Sequence, residues 1–131
     1  MTVVLDASAG MEISLARKGS APLAEALGNA SAVITSDLYR AETGNALWKY
    51  HKAGLLRRED VLRCLMRCDE LIDEYVDMSV NIEEALLEAV RLGHPVYDLL
   101  YFTLARRNGA TLLTMDARLK RLARENGIAV I

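Results

Sequence analysis

Four acidic residues, Asp6, Glu42, Asp98 and Asp116, stand at or just beyond the ends of apolar stretches. Asp6 closes Val3-Val4-Leu5, and Asp116 follows Leu112-Leu113-Thr114-Met115. Glu42 and Asp98 fall early in helical stretches whose other residues are largely apolar. Carboxylates beside such surfaces cost free energy unless something pairs with them. If the four converge in space, a hard divalent cation with oxygen ligands is the natural partner for so much like charge. The pattern points to metal-assisted chemistry.

Each acid also has a plainer reading. Asp6 and Asp116 follow strands and precede helices, so either can be an ordinary N-cap. Asp98 can satisfy free N–H groups in a first helical turn, and Glu42 can be a surface residue favoured by the helix dipole. Against that, the same-face neighbours of Glu42 are Leu38, Tyr39, Asn45 and Ala46, mostly core-facing types. Its carboxylate is therefore expected to point inward or into a cleft, with Asn45 placed to orient it by a hydrogen bond.

Other chemistries fit poorly. The residue two after Asp6 is Ser8, not the second aspartate of a haloacid-type phosphatase, and there is no Gly-rich phosphate loop. His51 and His94 lack the partners of a nucleophile triad, which leaves them surface or structural roles. Cys64 and Cys68 lie four apart with no second Cys/His pair, so they read as small buried hydrophobes.

These residues need a scaffold, and the chain supplies an alternating one. Strands are expected at Val3–Leu5, Ala32–Thr35, Val76–Met78, Leu112–Thr114 and Ile128–Ile131. Helices are expected from Ser20 to Leu27, from Ser36 or Asp37 to about His51, and from Arg58 to about Glu74. Further helices are expected from Ser79 or Asn81 to Gly93, from about Tyr97 to Arg107, and over Ala117–Glu125. Strands separated by helices imply parallel crossovers. The expected fold is therefore α/β, with a mostly parallel sheet of about four or five strands between helical layers. In such sheets ligands bind outside the carboxyl ends of the strands, where Asp6 and Asp116 fall.

With 131 residues, 52% hydrophobic and a net charge of -2, one domain with a real core is expected. No apolar run approaches a membrane span, and the N-terminus lacks the basic segment of a signal peptide, so a cytoplasmic location is the default. The small net charge leaves nucleic acid open as a partner, because local clusters of cations decide phosphate contact. Arg106, Arg107, Arg118, Lys120, Arg121 and Arg124 form one such cluster in the last two helices. A solvated helix face is the alternative reading for them.

Four blocks of the sequence together resemble the PIN domain family, in particular the stand-alone VapC-type toxins of toxin–antitoxin pairs. They are Val3 to Ser8, Ser36 to Leu47, Tyr97 to Arg107, and Leu112 to Leu119 with its Thr-x-Asp. The resemblance implies a three-layer PIN-like fold and Mg²⁺- or Mn²⁺-dependent endoribonuclease activity. Asp6, Glu42, Asp98 and Asp116 would be the metal-binding acids, and Ser8, Asn45 and Thr114 match supporting positions. It also implies an RNA substrate, a homodimer face and a groove for an antitoxin. A non-catalytic RNA-binding or regulatory PIN module, or an RNA-processing nuclease, are the competing functions.

Overall fold

Val3, Val4 and Leu5 are each fully buried. Successive strand side chains point to opposite faces, so the strand carrying them is covered on both. The computed structural model, which describes residues 1–131, meets this with helices on either side of a parallel sheet.

The elements run β1 (Thr2–Leu5), α1 (Ala7–Ser14), α2 (Ser20–Gly28), β2 (Ala32–Ser36), α3 (Leu38–Lys52) and α4 (Arg58–Glu70). Then follow β3 (Glu74–Val76), a 3₁₀ turn (Met78–Val80), α5 (Ile82–Leu92), α6 (Val96–Asn108), β4 (Thr111–Leu113) and α7 (Ala117–Glu125). The sheet order is β3-β2-β1-β4, all parallel, with Val3 opposite Val33 and Val4 opposite Leu112. The chain first builds outward from β1 to β2 and β3, then returns to the other side of β1. The reversal opens a crevice between the carboxyl ends of β1 and β4, the favoured binding place of such sheets.

Helix α6 crosses β1, β2 and β4, with α5 packed on it, while α1, α2, α3 and α4 pack on one another. One cluster of 28 buried hydrophobic residues joins these parts. Its largest members include Tyr39, whose hydroxyl donates to the Cys68 carbonyl at 2.8 Å. Gly10 is required where α1 meets that ring, because a Cβ there would collide with the Tyr39 hydroxyl and ring edge. Cys64 and Cys68 are free and buried, as their sequence context implies.

Several boundaries differ from the sequence expectation for local reasons. The third strand lies two residues earlier than expected, at Glu74–Val76, because the Asp77 side chain accepts from Ser79 N and turns the chain into the 3₁₀ segment. Helix α4 ends at Glu70 rather than Glu74, and the Asp73 carboxylate beyond it accepts from Val33 N. Asn81 does not cap α5 with its side chain. It is buried and donates to Leu100 O and Thr103 Oγ1 instead. The expected last strand is reduced to a single bridge between Leu112 and Val130. Helix α1, not delimited in the sequence, starts directly after Asp6.

Candidate active site

Asp6 leaves β1 as the N-cap of α1, its Oδ1 accepting from Ala9 N at 2.9 Å. The plain N-cap reading is thus correct in structure, but it accounts for only part of the carboxylate. Ser8 Oγ donates to the same oxygen at 2.6 Å, and Thr114 Oγ1, arriving from the end of β4, donates to Oδ2. Ser8 and Thr114 also face each other at 3.3 Å. Two strand ends are therefore fastened around one buried acid. Burial outweighs these donors and pushes the Asp6 carboxyl up to about 6, with the nearby Asp98 charge adding to the rise.

Glu42 stands in the second turn of α3 and lines a cleft of about 580 Å³ with Ser8, Leu38, Asn45 and Ala46. The inward orientation expected from its helical neighbours is observed. The expected bond from Asn45 is not; Glu42 Oε1 accepts instead from the Tyr101 hydroxyl of α6 at 2.6 Å. Partial burial raises the Glu42 carboxyl, the Tyr101 hydrogen bond opposes the rise, and the charge of Asp98 adds to it.

Asp98 lies in the first turn of α6 and is electrostatically close to both Asp6 and Glu42. Its Oδ2 meets His94 Nε2 at 2.7 Å. Asp116 caps α7 through Leu119 N at 2.9 Å, and its own N–H donates to Thr114 Oγ1 at 3.1 Å. Thr114 thereby connects the most exposed acid to the most buried one. The oxygen-only donor set of the four acids suits a hard cation such as Mg²⁺. As they stand, however, no three acidic, histidine or cysteine side chains come close enough to share one ion. Each carboxylate is held by its own hydrogen-bond partner.

The structure separates the proposed cations. Arg106 is bound to Glu84 and Glu88 of α5, and Arg107 donates to Val80 O. Both sit at the end of α6 opposite Asp98. Arg118 donates to Gly93 O at 3.0 Å, which ties α7 to the α5–α6 connection, and Lys120 lies half-buried in the same helix. The cations that line the cleft are Arg17 and Lys49, which sequence reasoning missed. Lys49 is two turns beyond Glu42 on α3, a spacing legible in the sequence, whereas Arg17 arrives by the path of the chain after α1. Tyr101 and His94 hold acids of the site, and neither role is visible in the sequence around them.

The chain matches the PIN domain model over residues 3–125. It is 32% identical over 124 residues to Ribonuclease VapC3 of Pyrobaculum aerophilum, an alignment covering 91% of this chain and 92% of that protein. Its fold is similar to that of PAE2754 from Pyrobaculum aerophilum, with a TM-score of 0.76 and 25% identity, over 99% of this chain and 83% of the other. VapBC2 from Rickettsia felis, bound to a DNA fragment from its promoter, is similar over 100% of this chain and 98% of the other, with a TM-score of 0.68. VapC20 of Mycobacterium tuberculosis, a Sarcin-Ricin loop cleaving toxin, is similar over 92% and 94%, with a TM-score of 0.66. At 17% and 16% identity, those two show a shared fold. With the family model spanning nearly the whole chain and a relative above 30% identity beside it, the chain belongs to the PIN domain family.

Proposed function

We propose that the protein is a divalent-metal-dependent endoribonuclease and the toxin of a type II toxin–antitoxin pair. The observation that carries this reading is that the charge of Asp98 acts on both Asp6 and Glu42, so that three acids from three different elements share one electrostatic neighbourhood. Family membership and the likeness to a ribonuclease VapC support it. Such a toxin would act in the cytoplasm, and no helix here is long and apolar enough to cross a membrane.

Asp6, Glu42, Asp98 and Asp116 are the residues that would hold Mg²⁺ or Mn²⁺. A bound cation would offset the carboxylate field that otherwise repels a phosphodiester, and would activate water for the displacement. The protein's own contribution is positioning. Ser8 and Thr114 fix Asp6, Tyr101 fixes Glu42, and the Asn45 amide stands exposed beside the cleft. Arg17 and Lys49 offer charge to RNA phosphates, while Tyr50, Tyr97 and Met115 offer surfaces for unstacked bases.

Exposed apolar side chains support protein partners. Trp48, Leu62 and Met66 are all more than half exposed, on the adjoining helices α3 and α4. A homodimer and an antitoxin supplying apolar anchors would cover such surfaces. A non-catalytic RNA-binding module is the second reading, and the separate hydrogen-bond partner that already holds each acid favours it. Incubation with a mixed RNA pool separates the two. Cleavage is expected in Mg²⁺ or Mn²⁺, with none in chelator. RNA binding without cleavage in any metal would overturn the enzyme reading.

A further inference from the structure

His94 is a buried imidazole that the cleavage reading does not use. Only 3% of its side chain is exposed, against 30% for Asp98, and the two meet at 2.7 Å. Its other ring nitrogen, Nδ1, is buried with no hydrogen-bond partner. A carboxylate can only accept, so the proton between them belongs to Nε2.

The backbone fixes the ring from both sides. Gly93 ends α5 in the left-handed region at φ 61, and the N–H groups of Gly93 and His94 both return to Ala89 O. This is the closing pattern of a helix C-terminus, with glycine where the left-handed turn needs it. Pro95 follows, and a residue before proline is confined to extended backbone. Arg118 of α7 holds the Gly93 carbonyl from outside. The imidazole is thus carried on a segment with little freedom.

Pro95 also explains why a histidine is needed. It is the N-cap of α6, which makes Asp98 the third helical residue. In a capping box the side chain at that position reaches back to the N–H of the N-cap residue. Proline has no N–H, so the backbone cannot hold Asp98 in that way. His94 Nε2 supplies the missing donor one residue further back, takes Oδ2, and leaves Oδ1 without a protein donor.

We propose that His94 is a positioning residue for Asp98, orienting one carboxylate oxygen by hydrogen bond so that the other is presented to a divalent cation. This rests on the metal-dependent reading of the site. Substituting a partner that orients a metal ligand typically costs about 10–100-fold in metal affinity.

The test compares His94→Leu, which fills the space without a donor, with His94→Gln, whose amide nitrogen can replace Nε2. Mn²⁺ affinity is read by calorimetry, and the melting temperature is read in chelator. His94→Leu is expected to weaken Mn²⁺ about tenfold or more, and His94→Gln to stay within about threefold of wild type. In metal-free wild type, ¹H–¹⁵N imidazole spectra should show a slowly exchanging Nε2–H, whether or not the variants fold. Its absence overturns the inference, as does equal loss of affinity in both variants. Wild-type affinity in His94→Leu, with binding lost in Asp98→Asn, overturns this inference alone. A wild type that binds no Mn²⁺ overturns the metal reading along with it.

Discussion

The Tyr101 hydroxyl donates to Glu42 Oε1 at 2.6 Å, joining α6 to α3. Tyr101 is almost fully buried, so its ring packs in the core while its hydroxyl reaches the site. Burial and the neighbouring Glu42 both push the phenol far above its usual range, so it remains a proton donor at any working pH. Tyr101→Phe keeps the packing and removes the donor. It should cost about 1–2 kcal/mol in urea unfolding and lower cleavage by loosening Glu42. Unchanged turnover in a correctly folded Tyr101→Phe would remove Tyr101 from the site's support.

Asp98→Asn should abolish cleavage and leave the fold intact. The charge of Asp98 raises both Asp6 and Glu42, so its removal relieves repulsion. Melting in chelator should therefore be unchanged or raised. Wild-type turnover with Mg²⁺ in this variant would sink the assignment, and a clear loss of stability would favour a purely helix-capping role.

The burial of Asp6 predicts an inverted pH dependence in the metal-free protein. Its carboxyl is raised from 3.8 to about 6. Between those values the unfolded chain releases a proton that the native state keeps. Stability should thus fall as pH rises through this window, by an amount on the order of 3 kcal/mol from this residue. Glu42 shifts in the same direction. Urea melts in chelator at pH 4 and pH 7.5, for wild type and Asp6→Asn, isolate the effect. An equal pH response in both proteins would show that Asp6 is not its source. Divalent metal should restore stability at the higher pH in wild type only.

Arg17 and Lys49 should matter to RNA more than Arg106 does. The first two line the cleft, Arg17 with only a 3.8 Å contact to Glu12, whereas Arg106 is held by Glu84 at 2.7 Å and by Glu88 at 3.4 Å. Arg17→Ala and Lys49→Ala should raise KM several-fold and flatten its salt dependence, by about 0.7 in log–log slope for each phosphate that is no longer neutralised. Arg106→Ala should leave the salt slope unchanged. The reverse pattern would return the substrate grip to the end of α6.

Trp48 offers a direct probe of partners. It is the only tryptophan, is 53% exposed, and lies on the helix that carries Glu42. A dimer is expected by light scattering at tens of micromolar, together with a blue shift of Trp48 emission when an antitoxin binds. A stable monomer would remove the dimer, and unchanged emission on complex formation would move the antitoxin to another surface.

The sequence by itself determined the alternation of strand and helix, because apolar runs such as Val3–Leu5 and Leu112–Thr114 are bounded by residues that start helices. It also placed Asp6 and Asp116 at strand ends and turned Glu42 toward a cleft, since both follow from local periodicity and capping. What it could not hold was any relationship set by which elements become neighbours. Thr114 reaches Asp6 only because β4 pairs with β1, and Tyr101 reaches Glu42 only because the fold brings residues 59 apart within a hydrogen bond of each other. The separate fates of Arg17 and Arg106 were hidden for the same reason: both are exposed arginines in sequence, and packing alone put one on the cleft and gave the other to the carboxylates of α5. Local propensity acts over a few residues, while these contacts close loops of up to 108 residues, so the tertiary fold decided them.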